Sequence, residues 1–263
     1  MIAVAERING MFLDVRRAIQ KKDPGSVIDL AQKQTACGAK FLDINVGTAA
    51  ADQRAAMRWL VETVQSACKT PIALDSQKLP VIEAGLEVCD GRDVLINSVS
   101  GDDEKLDKYM PLALKHNASL VALTMNVEGV PQNVENRVAI AMNIISKAME
   151  HGFDPQKIFI DPIILPVTCD QKQPLFICQV ITQIKTMLCD PPPKTIVGLS
   201  NISQGTSQRP LINRTGLVML QAYGLDAAII DVLDTEIMDA AISADMLMNK
   251  MIYSDSYLKA ARL

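Results

Sequence analysis

Aromatic side chains are scarce in this sequence: five Phe, four Tyr and one Trp make up 4% of 263 residues. Single-stranded nucleic acid is bound by stacking bases on aromatic rings, so that class of partner is disfavoured. Histidine is scarcer still, with only His116 and His151. Neither stands in a Cys or carboxylate pattern of zinc spacing, and both are expected at the surface or at helix ends. The six cysteines (Cys37, Cys68, Cys89, Cys169, Cys178 and Cys189) form no Cys-x-x-Cys pair. Most fall at periodic apolar positions, which predicts buried free thiols in a reducing cytoplasm. No apolar run approaches the roughly 20 residues that a membrane span needs. The charged pair Glu6-Arg7 cuts the first apolar stretch short, so no secretory leader is expected. Excess positive charge is missing as well: the net charge is -4 and the pI about 5.3. No basic surface therefore offers itself to nucleic acid or to an acidic membrane. Finally, the dinucleotide fingerprint G-x-G-x-x-G does not follow the first strand.

What is present is a 49% hydrophobic chain in which short apolar runs alternate with helical patterns. The runs at Ile2 to Ile8, Phe41 to Val46, Pro71 to Leu74, Val94 to Ile96, Ser119 to Leu123, Ile158 to Ile160, Thr195 to Val197 and Ala227 to Ile230 read as strands. They are continuous rather than alternating, as parallel strands covered on both faces should be. The first helix is expected from about Ser26 to Ala36, opened by Asp23-Pro24 and closed at Cys37-Gly38. Later helices carry Met57, Leu60, Val61, Val64 and Cys68, and then Val134, Val138, Ala141, Ile145 and Ala148, each set on one face. Pro191-Pro192-Pro193 stops the helix before the seventh strand. A Met-rich helix with Met238, Met246, Met248 and Met251 runs to about Tyr253 and is read as core or subunit interface. Roughly eight β–α units without a long linker predict a (β/α)8 TIM barrel over residues 1–263 as one domain, with a doubly wound open sheet as the alternative.

The strand ends carry the chemistry. On a barrel the C-terminal rim would hold Asp43, Asn45, Asp75, Asn97, Asn126, Asp161, Asn201 and Asp231. Asp and Asn are poor strand residues, and any one of them could simply start a loop or cap a helix. Asp75, Asn97 and Asp161 fit that explanation least, because they follow apolar runs directly and precede the helix by more than one residue. The richest end is Lys194 to Gly205, a buried strand that turns into Gly198-Leu199-Ser200-Asn201-Ile202-Ser203-Gln204-Gly205. A rim of carboxylates and amides with no histidine suits a flat, neutral heterocycle offering donors and acceptors. A phosphate suits it less, since the seventh and eighth units lack a glycine-rich anion cradle.

The motifs Glu6-Arg7-Ile8-Asn9-Gly10, Leu42-Asp43-Ile44-Asn45-Val46-Gly47, Asp75-Ser76, Ile96-Asn97-Ser98, Leu123-Thr124-Met125-Asn126, Ile160-Asp161-Pro162, Gly198-Leu199-Ser200-Asn201 and Arg209-Pro210-Leu211-Ile212-Asn213-Arg214 run essentially end to end. Together they resemble the pterin-binding methyltransferases: the methyltetrahydrofolate–corrinoid protein methyltransferases, related to the folate domain of cobalamin-dependent methionine synthase. Dihydropteroate synthase is a more distant likeness, since it resembles Ser-Arg-Lys where this seventh strand ends in Ser-Asn.

The resemblance implies transfer of the N5-methyl of methyltetrahydrofolate to the cobalt of a corrinoid, or cobalamin, held by a separate protein such as a corrinoid iron-sulfur protein. It also implies a homodimer. Asp75, Asn97 and Asp161 match the family's pterin-binding positions, and Asn201, Gln204 and Arg209 match those around the methyl-bearing face. Asn201 is the implied catalytic residue. The corrinoid-ligating pattern Asp-x-His-x-x-Gly is absent from the chain, which fits a corrinoid carried elsewhere. Two alternatives stand beside this reading. One is the reverse transfer, from a methylcorrinoid protein to tetrahydrofolate. The other is a pterin-binding subunit without chemistry of its own.

Overall fold

The computed structural model describes residues 1–187 and 189–261. Strands β1 (Ile2–Asn9), β2 (Phe41–Asn45), β3 (Ile72–Asp75), β4 (Val94–Ser100), β5 (Ser119–Leu123), β6 (Ile158–Asp161), β7 (Lys194–Gly198) and β8 (Ala227–Ile230) pair in sequence order, all parallel. Closure comes from β8 pairing with β1, Val4 standing opposite Ile229. The sheet is therefore the barrel and not the open alternative.

The helices that wrap it are α1 (Leu13–Lys21), α2 (Gly25–Ala36), α3 (Gln53–Ala67), α4 (Leu79–Leu86), α5 (Asp103–Lys115), α6 (Val134–Glu150), α7 (Gln173–Met187), α8 (Arg209–Ala222), α9 (Thr235–Leu247) and α10 (Tyr257–Ala261). The long ones lay an apolar stripe on the sheet. Met57, Leu60, Val61 and Val64 of α3 are fully buried, each contributing about 1.5–3 kcal/mol of transfer free energy.

Side chains alternate along a strand, and this alternation positions the mouth of the barrel. Val4, Ala73, Leu95, Val121, Phe159, Ile196 and Ala227 point inward and pack into one apolar floor. Two residues further on, facing the same way, come Glu6, Asp75, Asn97 and Asp161; Asp43 follows Phe41 likewise. The polar ring thus stands directly above the floor, on the C-terminal side.

Several boundaries differ from the sequence expectation. Helix α1 is additional: Val15, Ala18 and Ile19 form its buried stripe, but it has no capping side chain to announce it. The Met-rich helix ends at Leu247, where Met248 caps it and Asn249 turns left-handed at φ 58°. Strand β4 continues past Ile96 because Val99 and Ser100 resume pairing with Ala122 and Leu123 after an irregularity. Only Cys178 of the six free thiols is buried; Cys169 is exposed and the others are intermediate. The reason is placement, since Cys37 and Cys68 are helix C-caps, where the chain comes to the surface. Both histidines are helix C-caps too, on α5 and α6.

Candidate active site

The strand-end residues divide into loop starters and site residues. Asn126 Oδ1 accepts the Glu128 amide at 3.0 Å, and Asp231 Oδ1 accepts that of Leu233 at 3.0 Å. Both simply begin their loops. Helix N-caps that use a side chain are supplied by other residues, Asp52, Asn133 and Asp234. Asp43, Asp75 and Asn97 cap nothing.

Instead they join one another. Asn97 Nδ2 donates to Asp43 Oδ1 at 3.1 Å, and Asn45 Nδ2 donates to Asp75 Oδ2 at 2.5 Å. Asn45 is itself aimed by accepting the Gly47 amide at 2.5 Å. The pairs span neighbouring strands, with Asn45 opposite Asp75 and Asp75 opposite Asn97. Asp43 is 3% exposed, Asn97 7% and Asp161 9%. With its Nδ2 committed to Asp43, Asn97 has its carbonyl oxygen to offer, and Asp75 has Oδ1 to offer. Asp161 gives Oδ1 to the Ile163 amide at 2.7 Å, and its Oδ2 receives no hydrogen bond from the described residues. The mouth is thus lined with acceptors.

Burial sets their charge. It pushes the Asp161 carboxyl up to about 7, against the opposing pull of the Ile163 amide and the Arg137 guanidinium. It pushes Asp75 up to about 6, opposed by the Asn45 amide. Asp43 lies well above the usual carboxylate range, through burial first and the charge of Asp75 second. A ligand edge bearing paired N–H groups would favour the ionised forms and so bind strongly here.

Glu6, which sequence reasoning quoted in a motif but did not place in the site, belongs to the same ring. Its Oε1 accepts the Ser200 hydroxyl at 2.8 Å. Burial raises its pKa, the Ser200 bond lowers it, and the charges of Asp231 and Arg209 then oppose each other. The available signal was its spacing of two from Val4, a residue of the apolar floor.

Above this ring, the β7 end winds into a 3₁₀ turn, Leu199–Asn201. Arg209, in the first turn of α8, donates Nε to Ser203 Oγ at 3.2 Å and Nη2 to the Ser200 carbonyl at 3.1 Å. Asn201, Gln204 and Arg209 are exposed on the rim. A Cβ built on Gly198 would lie 3.2 Å from Asn201 Nδ2, so the amide folds back over the bare strand end. The six sequence-derived site residues therefore form two tiers: Asp75, Asn97 and Asp161 in the ring, and Asn201, Gln204 and Arg209 on the lip. Among the described residues no cluster of His, Cys, Asp or Glu could hold a metal ion, and no helix is long and apolar enough to cross a membrane.

A family model described as pterin binding enzyme matches residues 14–243. A methylcorrinoid:tetrahydrofolate methyltransferase of Eubacterium limosum is 31% identical over 264 residues, covering 100% of this chain and 96% of that protein. Methionine synthase of Mycobacterium leprae is 33% identical over 243 residues, covering 88% of this chain but 20% of that much longer protein. Among solved structures, dihydropteroate synthase of Thermus thermophilus in complex with 6HMPPP superposes with a TM-score of 0.65 at 18% identity, covering 96% of this chain and 94% of that one. The dihydropteroate synthase of Coxiella burnetii in complex with pteroic acid gives 0.68 at 13% identity, over 93% of each chain. Those two likenesses speak for the fold.

Proposed function

This chain belongs to the pterin-binding enzyme family, and on that premise we propose that it moves the N5-methyl group between methyltetrahydrofolate and the cobalt of a corrinoid carried by a separate protein. The observation that carries the proposal is the ring of acceptors over an apolar floor, in a chain alignable end to end with a methylcorrinoid:tetrahydrofolate methyltransferase. The floor supports the flat face of a pterin, and the acceptors meet its N–H-rich edge. Asp161 takes the amino-pyrimidinone edge through Oδ2, while Asp75 Oδ1 and the Asn97 carbonyl take neighbouring N–H groups.

On the lip, Asn201, Gln204 and Arg209 surround the methyl-bearing face. The corrinoid supplies the nucleophile. As the N5–CH3 bond breaks, its electron pair stays on N5, which takes up a proton. Asn201 serves this change without titrating, turning its oxygen toward protonated N5 or its NH2 toward the lone pair. One site serves both directions of transfer. In this reading the whole chain acts as one pterin-binding domain, works as a homodimer in the cytoplasm, and meets a corrinoid protein of the iron-sulfur kind across its open rim.

Single-turnover transfer by Asn201→Ala tests the catalytic assignment. The rate is expected to fall by about 10²–10³-fold, as when one preorganised hydrogen-bonding group is removed, with a much smaller change in tetrahydrofolate affinity. A variant with a near-normal rate would remove Asn201 from the mechanism.

A further inference from the structure

Helix α6 carries an arginine where its apolar stripe calls for a hydrophobic residue. Val134, Arg137, Val138, Ala141, Ile144, Ile145 and Ala148 are all buried on one face, and Arg137 is 0% exposed. Burying a guanidinium is unfavourable unless its donors are used. Nε donates to the Pro131 carbonyl at 2.9 Å, and Nη1 to the carbonyls of Pro162 and of Ile163, the latter at 2.7 Å. The Phe176 ring lies 4.7 Å beneath it, while Nη2 has no hydrogen-bond partner among the described residues.

These bonds converge on one turn. Ile163 sits at φ +58°, a left-handed conformation that a β-branched residue adopts only when its surroundings enforce it. Its amide is held by Asp161 Oδ1 and its carbonyl by Arg137. Asp161 and Arg137 thus grip the two sides of the same strained residue. Arg137 also acts on Asp161 through space, and it is the one charged group among the described residues that does so appreciably. The other carboxyls near the mouth, Glu6, Asp43 and Asp75 of the ring and the loop-starting Asp231, stand on β1, β2 and β3 and after β8, and interact with one another.

Resting on the pterin reading of Asp161, we propose that Arg137 is a positioning residue for the pterin anchor. Its fork locks the 161–163 turn so that Asp161 Oδ2 faces the mouth, and its charge keeps that carboxylate ionised when pterin arrives.

The test is tetrahydrofolate affinity from pH 5.5 to 9, measured by titration for the wild type, Arg137→Lys, Arg137→Gln, Asp161→Asn and the double variant Asp161→Asn with Arg137→Lys. The lysine retains the charge but cannot bridge three carbonyls. It is expected to bind roughly tenfold more weakly, with the pH at which affinity begins to fall unchanged. The glutamine removes the charge, and that pH should rise by about one unit or more. In the Asp161→Asn background the lysine substitution should cost little further affinity. If Arg137→Gln does not fold, the lysine variant and the double variant decide the matter. Lysine and glutamine variants with wild-type affinity and pH profile overturn the proposal, as does a loss additive to that of Asp161→Asn. Failure of the underlying reading looks different: Asp161→Asn itself would then leave tetrahydrofolate binding unchanged.

Discussion

Replacing Asp161 by Asn should weaken pterin binding and strengthen the fold at the same time. The carboxyl is buried and ionises only above about 7, whereas its ordinary value is 3.8. Keeping it ionised in the folded state at pH 8 therefore costs about 4 kcal/mol. The sign follows from the raised pKa. In the free protein the cost is absent below 3.8, grows as the pH climbs toward 7, and is complete above it. Asn removes that cost, but Arg137 then loses its counter-charge and takes part of the gain back. A net stabilisation of about 1–2 kcal/mol at pH 8 is expected, or about 2–8 °C in thermal midpoint for a chain of this size. The gain should fade toward pH 4.

Binding should move the other way. The amide places an NH2 where the pterin presents donors and loses the charge-assisted bond, which costs about 10–100-fold in affinity at pH 8. Wild-type affinity should fall about tenfold between pH 8 and pH 6, as the free carboxyl takes up its proton, and the Asn variant should lose this part of the slope. Calorimetric titration with tetrahydrofolate and thermal unfolding at matched pH measure both effects. An Asn variant that binds as tightly as the wild type, or is less stable at pH 8 with the slope intact, would refute the reasoning.

Two glycines give further expectations. Gly198→Ala is compatible with the backbone, at φ -76°, but its methyl would press on Asn201 Nδ2 from 3.2 Å. Single-turnover transfer should slow by about tenfold or more, as a displaced catalytic group does, while tetrahydrofolate titration stays near wild type. At Gly10 a Cβ would stand 2.1 Å from the Val46 carbonyl oxygen, which is backbone and cannot swing aside. Gly10→Ala should lower stability by about 3 kcal/mol or more in denaturant titration, and it should loosen Asn45, whose carbonyl accepts the Gly10 amide at 2.8 Å.

Much of this was legible in the sequence because the barrel writes each strand as an apolar run ending in a polar residue. The eight strands, the boundaries of β5 and β8, and most of the buried faces of α3 and α6 follow from period and punctuation alone. Asp75, Asn97 and Asp161 stood out because no helix start explained them. Helix α1 was hidden, since its nine residues carry only three buried side chains and no capping signal. Glu6 was hidden because the inward face of β1 is defined by strands far away in sequence, so its spacing of two from Val4 marks it as a site residue only once that face is known. The same holds for Arg137. Its helix is plain in the sequence, but the carbonyls it bonds lie in two loops, one of them 25 residues or more away. Which of the rim amides share hydrogen bonds depends on strand register, which composition does not encode.

The most direct measurement is anaerobic visible spectroscopy of cob(I)alamin mixed with methyltetrahydrofolate and this protein, then repeated with its corrinoid protein. Conversion to the methylated corrinoid, reversed by adding tetrahydrofolate, is the expected result. Tight tetrahydrofolate binding with no methyl transfer in either direction, to free or protein-bound corrinoid, would contradict the assignment and leave a pterin-binding protein without this chemistry.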